Sequence, residues 1–245
     1  MELIEMSKRP YAAFDIDGTL IRWQLYHAVF DAMVELGFIS PSLGEMVAAE
    51  RMNWKERRAQ KDFSTYERSL IKAYNSVITK LTVDQFNQAV ELVFAEYKNQ
   101  TYVYTRDLIN ELKKQGYLLF ALSGSQIAIV KLLADYYGFD DCAGSVLKVK
   151  DGYFTGAEIT MRHDRKLTTL KKMIDRHNAA QSGSLAIGDS DGDVAILQFA
   201  ETAIAFNPTK ELFKEAQARN WTVVVERKNI IYRLEPYNGE YLLKV

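Results

Sequence analysis

The sequence predicts an α/β fold: a Rossmann-like parallel sheet with helices on both faces, interrupted by an inserted α-helical cap domain. Three observations carry this. A short apolar run, Tyr11 to Phe14, ends in Asp-Ile-Asp-Gly, as a buried strand entering a turn does. Residues 23 to 98 then hold helical patterns and no strand-like run. From about residue 105, helical and apolar-strand patterns alternate, which implies parallel strands joined by crossover helices. Glycine follows the same division: only Gly18, Gly37 and Gly44 precede Gly116, and glycines punctuate the chain regularly after it. The chain therefore divides into a core, residues 1–21 plus 100–245, and a cap, residues 22–99.

Within the cap, Ser40-Pro41 has the order of an N-cap and first helical residue. Thr82 with Gln85 has capping-box spacing, and Phe86, Val90, Val93 and Phe94 continue as a helical stripe. In the core, Thr105 is the expected cap of a helix ending at Gly116. Tyr117 to Leu122 is a continuous apolar run, as a parallel strand requires. Ile127 to Tyr137 reads as a helix closed by Gly138. Val146 to Val149 and Tyr153 to Thr155 flank Asp151-Gly152, a hairpin signal. Helix Lys166 to His177, strand Ser184 to Ile187, strand Thr202 to Phe206, helix Thr209 to Arg219 and strand Thr222 to Val225 follow. The tail, Ile230 to Val245, carries Asn238-Gly239 between apolar runs, a second hairpin signal.

Bulk composition excludes several classes. The chain has 245 residues, 48% hydrophobic and 26% charged, enough to bury a sizeable core without staples. A formal net charge of −1 gives no basic footprint for nucleic acid. Leu118 to Leu122 and similar runs are far too short for a bilayer, so no membrane partner is expected. Met1 to Arg9 carries Glu2 and Glu5 and lacks the apolar stretch of a signal peptide. Cys142 is the single cysteine, which excludes an internal disulfide and a multi-cysteine zinc site. A cytoplasmic protein is the expectation.

Four short segments each sit where an apolar strand is expected to end: Asp15-Ile16-Asp17-Gly18-Thr19, Ser123-Gly124-Ser125, Lys166, and Gly188-Asp189-Ser190-Asp191-Gly192-Asp193. Ligands of open α/β sheets bind beyond the carboxyl ends of the strands, so these segments can meet there. Four gathered carboxylates, Asp15, Asp17, Asp189 and Asp193, repel one another without a cation. Hard oxygens of this kind suit Mg2+, which also takes phosphate oxygens. A hydroxyl from Ser123 and an ammonium from Lys166 complete a set suited to a phosphoryl group. With no suitable cysteine or histidine motif, the nucleophile is a hydroxyl or a carboxylate. Two aspartates two residues apart can divide the work, one attacking phosphorus and the other moving protons.

Read singly, each segment has a plainer meaning. Asp-x-Asp-Gly-Thr alone fits an Asx-stabilised turn, the acidic run a solvated turn, and Ser125 a helix N-cap. Lys171 and Lys172 read as surface charge, His27, His163 and His177 as structural or surface groups, and Cys142 as a small buried residue. Trp23 and Tyr26 read as core more readily than as substrate contacts.

Taken together, the four segments resemble the haloacid dehalogenase superfamily of phosphohydrolases. Phe120-Ala-Leu-Ser-Gly-Ser, Gly138-Phe-Asp-Asp, Lys150-Asp-Gly-Tyr-Phe-Thr-Gly156 and Phe206-Asn-Pro look like its phosphoserine phosphatase-like branch (subfamily IB), which carries a helical type C1 cap after the first motif. The resemblance implies Asp15 as nucleophile and metal ligand, and Asp17 as acid/base that also lends the metal its backbone carbonyl. It implies Ser123, Gly124 and Lys166 around the phosphoryl oxygens, Asp189 as metal ligand, and Asp193 behind them orienting a metal water or Lys166. The implied cofactor is Mg2+ and the implied partner a small phosphorylated metabolite. Where phosphoserine phosphatases place a glutamate for the substrate ammonium, this chain has Gln24, so phosphoserine is not the expected substrate. The cap instead offers Trp23, Tyr26, Trp54, Arg57 and Arg58, aromatic and basic groups that could meet an anionic or ring-bearing substrate, although Arg57-Arg58 with Lys55 and Lys61 also reads as a solvated face. The expected activity is phosphomonoester hydrolysis through an aspartyl-phosphate. A phosphotransferase or mutase using the same intermediate, and a silent binder of phospho-ligands, are the alternatives.

Overall fold

The computed structural model describes residues 8–56, 63–161, 163–237 and 240–244. Strand β1 (Pro10–Asp15) is followed by four helices, α1 (Leu25–Glu35), α2 (Pro41–Lys55), α3 (Phe63–Val77) and α4 (Val83–Tyr97). Then come α5 (Val103–Lys114), β2 (Leu118–Gln126), α6 (Ile127–Tyr137), β3 (Asp141–Lys150), β4 (Tyr153–Ile159) and α7 (His163–His177). The chain ends with β5 (Ala180–Gly188), α8 (Val194–Phe199), β6 (Thr202–Phe206), α9 (Lys210–Arg219), β7 (Thr222–Arg227), β8 (Ile230–Tyr237) and β9 (Glu240–Leu243).

The strands form one sheet in the order β4-β3-β2-β1-β5-β6-β7-β8-β9. Its centre, β3 to β7, is parallel, and antiparallel strands extend both edges. β1 lies between β2 and β5, so the strand order changes direction there, which is where such sheets open a crevice. The register aligns the site: Asp15 pairs with Leu122 and Phe14 with Ile187. Asp15, Ser123 and Asp189 therefore leave three adjacent strands at nearly one level.

β1 is buried on both faces, hence its unbroken apolar run. Ala12 and Phe14 join one apolar cluster with α1, α3, α4 and α6, whereas Tyr11 and Ala13 join another under α7, α8 and α9. Each fully buried side chain of this size contributes on the order of 1.5–3 kcal/mol, so Phe14 anchors the strand that presents Asp15.

Local signals account for several ends. Thr82 and Gln85 form the reciprocal capping box at α4. Gly138 closes α6 at φ 66°. Asp151 and Gly152, at φ 51° and 79°, make the two-residue turn between β3 and β4, a left-handed pair that asparagine, aspartate and glycine tolerate. The tip of that hairpin docks on the cap: the Val83 amide donates to the Gly152 carbonyl at 3.0 Å, and Phe154 meets Phe86 edge-on at 5.2 Å.

Other features correct the sequence reading. Thr105 does not cap α5. Its hydroxyl donates to the Thr19 carbonyl at 2.9 Å, and the Val103 and Tyr104 amides are met instead by the Glu226 carboxylate, at 3.1 and 2.9 Å. Ser125 does not cap α6. The N-cap position belongs to Gln126, which makes no side-chain cap bond. β2 and β5 are longer than their apolar runs, because the polar ends of both continue the ladder. Cys142 is half-buried on β3 rather than sealed in the core. The tail strands β8 and β9 pair antiparallel and extend the main sheet past β7, and their turn at 238–239 lies outside the described residues.

Candidate active site

Asp15, the last residue of β1, is 4% exposed. Its Oδ1 accepts from Lys166 Nζ at 2.7 Å, and its Oδ2 is buried with no hydrogen-bond partner. Lys166 comes not from a strand end, as its place among the four segments suggests, but from the first turn of α7, and it also donates to Asp193 Oδ1 at 2.6 Å. Asp193 is sealed, and its Oδ2 accepts from the Ser190 amide and hydroxyl at 3.2 and 3.1 Å, which fixes the turn after β5. One carboxylate oxygen each from Asp15, Asp189 and Asp193 lies within 4.8 Å of the others. Gly18, at φ 80°, makes this approach possible, since a Cβ there would stand 2.1 Å from Asp189 Oδ2.

The electrostatics follow from burial. Desolvation, against the pull of Lys166 and with repulsion from Asp193 and Asp17, pushes Asp15 up to about 7. Desolvation, with repulsion from Asp15 and Asp193, pushes Asp189 well above the carboxylate range. Burial alone would lower Lys166, but Asp15 and Asp193 outweigh it and hold the ammonium charged. A buried carboxylate oxygen with no donor costs about 1–3 kcal/mol. Hard-oxygen donors, excess negative charge and an orphaned Oδ2 together fit a divalent cation.

Asp17 lies beyond the end of β1, with its carboxylate held away from the acidic group. Oδ1 accepts from the Leu25 amide at 2.6 Å and the Ser125 hydroxyl at 3.0 Å, and Oδ2 from the Ser123 hydroxyl. Burial raises Asp17, opposed by the bonds from Ser123, Leu25 and Ser125. Gly124 is exposed between the two serines. Gln24 is the N-cap residue of α1, its amide nitrogen beside Gly18.

The cap residues divide. Tyr26 stacks on Tyr74 at 4.9 Å, and Trp23 faces Arg51 and Lys55 at 6.0 and 5.2 Å; both are partly buried against the core. Trp54 packs on Tyr66 and Phe63. Arg57 and Arg58 lie outside the described residues, as does the side chain of His163. His27 is buried with Nδ1 3.1 Å from the Tyr66 hydroxyl, and His177 pairs with Asp141 at 3.0 Å. Lys171 and Lys172 are exposed. A cavity of about 270 Å3 between α2 and α3 is lined by Leu43, Met46, Val47, Glu50, Lys72 and Ala73, and by none of the site residues Asp15, Asp17, Asp189 and Asp193.

Comparison with known proteins decides the family. Residues 12–198 match the model for haloacid dehalogenase-like hydrolase, well over half the chain. The chain belongs to the haloacid dehalogenase-like hydrolase family. This family member is 24% identical to the phosphoserine phosphatase of Saccharomyces cerevisiae over 209 residues, 84% of this chain and 62% of that protein's length. It is 23% identical to the histidinol-phosphatase of Neisseria meningitidis over 220 residues, 87% of this chain and 97% of that one. A solved structure, a phospho-aspartyl intermediate analogue of phosphoserine phosphatase, superposes with a TM-score of 0.64 at 21% identity, covering 91% of this chain and 96% of that one. The fold is thus that of the phosphoserine phosphatase-like branch of the haloacid dehalogenase-like hydrolases.

Sequence reasoning missed two residues at this family site. Ser125 touches Asp17, and Thr105 holds the loop after it through Thr19. No local signal marks either, since the partners lie 108 and 86 residues away.

Proposed function

We propose that the protein is a Mg2+-dependent phosphomonoesterase that hydrolyses a small phosphorylated metabolite through an aspartyl-phosphate on Asp15. The observation that carries this reading is the state of Asp15: one carboxylate oxygen is tied to Lys166, and the other is buried without a donor among Asp189 and Asp193.

Magnesium would be held by Asp15, Asp189 and the Asp17 backbone carbonyl, and when bound it supplies positive charge that neutralises the carboxylates and the phosphoryl oxygens. The protein's own groups do the rest. Lys166 binds phosphoryl oxygens, joined by the backbone at Gly124 and by the Ser123 hydroxyl, whose single proton turns from Asp17 Oδ2 to a phosphoryl oxygen when substrate binds. Asp193 keeps Lys166 charged and in place. A carboxylate oxygen of Asp15 attacks phosphorus, the bond to the leaving oxygen breaks, and Asp17 donates a proton to that oxygen. Asp17 then takes a proton from water as the water attacks phosphorus. The bond to Asp15 breaks and inorganic phosphate leaves.

The two-part division belongs to this reading, with residues 1–21 and 100–245 carrying the chemistry and the cap, 22–99, choosing the substrate. So does a cytoplasmic setting, supported by the composition. Gln24 stands at the foot of the cap as a neutral hydrogen-bonding group, which favours a substrate other than phosphoserine. The relatives named for phosphoserine and histidinol phosphatases support a small phosphomonoester as the substrate class.

The test is phosphate release from p-nitrophenyl phosphate with Mg2+, with chelator, and with Asp15→Asn. Turnover that needs both the metal and Asp15 supports the reading. Turnover that survives Asp15→Asn contradicts it.

A further inference from the structure

Asp17 Oδ1 accepts two hydrogen bonds, from the Leu25 amide at 2.6 Å and from the Ser125 hydroxyl at 3.0 Å, whereas Oδ2 accepts one, from Ser123. A carboxylate oxygen has two lone pairs. Oδ1 is therefore fully used, and a proton on Asp17 has its place on Oδ2, the oxygen on the Ser123 side. Ser125 is 3% exposed and is itself fixed from two directions. Its oxygen accepts from the Tyr26 amide at 3.0 Å, and its own amide donates to Ser123 Oγ at 2.9 Å. Leu25 and Tyr26 are the first two residues of α1, so the start of the first cap helix and the end of β2 grip one carboxylate oxygen between them.

We propose that Ser125 is a positioning residue for the proton transfer made by Asp17: it occupies Oδ1 so that the proton sits on Oδ2 and faces the leaving group. The inference rests on the phosphomonoesterase reading above. As the bond from Asp15 to phosphorus forms and the bond to the leaving oxygen breaks, the electron pair stays on that oxygen. The oxygen takes the proton from Asp17 Oδ2, leaving Asp17 as carboxylate. Without the Ser125 hydroxyl, one lone pair of Oδ1 is free, and the proton can settle there, turned away from the leaving oxygen.

A defect in proton delivery weighs most on leaving groups that need the proton. The test compares kcat/KM, which reports the step where the leaving group departs, for p-nitrophenyl phosphate and phenyl phosphate. The two are alike in shape, and phenol is the more basic leaving group. Ser125→Ala is expected to lower kcat/KM for phenyl phosphate about tenfold more than for p-nitrophenyl phosphate, within the range of a general-acid contribution. Ser125→Thr, which keeps the hydroxyl, is expected to restore the parent ratio. The ratio is taken on one preparation, so a fraction of misfolded variant cancels. Equal losses on both substrates, or a Thr variant with the Ala ratio, would overturn the proposal while leaving the phosphatase reading intact. A parent enzyme inactive on both substrates with Mg2+ would overturn the phosphatase reading, and this inference with it.

Discussion

Lys166 Nζ bridges Asp15 Oδ1 at 2.7 Å and Asp193 Oδ1 at 2.6 Å, with all three side chains buried. One cation thus holds two carboxylates that would otherwise repel. Lys166→Met removes it and leaves both acids uncompensated. A broken buried ion pair costs about 3–5 kcal/mol. Urea unfolding at pH 8 should show a loss of that order. The loss should shrink at low pH, where the carboxylates protonate.

Asp15 is raised to about 7, chiefly by desolvation, and Asp189 is raised as well. For a carboxylate raised in the folded state, the metal-free protein binds extra protons between the unfolded value of 3.8 and the folded value. Its contribution to stability therefore falls as pH rises through that window. A metal competes with those protons. The melting temperature gained on adding Mg2+ should be large at pH 8 and small at pH 6, and chelator should abolish it. At a hundredfold excess over Kd the gain at high pH corresponds to about 2.7 kcal/mol.

Burial, with the Arg51 charge adding to it, lowers His27 to about 3 from its ordinary 6.5. A lowered histidine favours the folded state above 6.5 and loses that advantage as pH falls toward 3. Between pH 7 and pH 5 this one group should cost about 2 kcal/mol of stability, from 1.36 kcal/mol per unit. Denaturant titrations of the parent and of His27→Phe at the two pH values should differ in slope by that amount, the variant being the flatter.

Glu226, on β7, caps α5 from a strand more than 120 residues away in sequence, and Thr105 on the same helix holds Thr19. Glu226→Ala leaves the Val103 and Tyr104 amides without their acceptor and should cost about 1–2 kcal/mol, the range of a lost helix cap. Glu226→Gln, which keeps one acceptor oxygen, should cost less. Chemical denaturation of the two variants checks the order.

Local chemistry explains which parts were legible in the sequence. The apolar run of β1, the Thr82–Gln85 box, Gly138 and the Asp151-Gly152 turn each act within a few residues, so each reads directly. Asp15, Ser123 and Asp189 could be gathered because parallel strands deliver their ends to one edge, and the register of β1 with β2 and β5 has that effect, whereas Lys166 reaches them from the first turn of α7 and Asp193 from the turn after β5. Glu226 and Ser125 were not legible. The first reaches α5 across more than 120 residues, and the second serves α1 and Asp17 rather than the helix that follows it. A helix cap supplied by a distant strand leaves no mark near the helix it caps, and Thr105, the local candidate, was the wrong one.

The measurement that bears most directly on the central claim is peptide mass spectrometry of enzyme quenched in acid during turnover of p-nitrophenyl phosphate with Mg2+. The predicted result is one phosphoryl group on the peptide that contains Asp15, absent with chelator and absent in Asp15→Asn. Phosphate released with no labelled protein at any quench time, or a phosphoryl group on Ser123 instead, would contradict it.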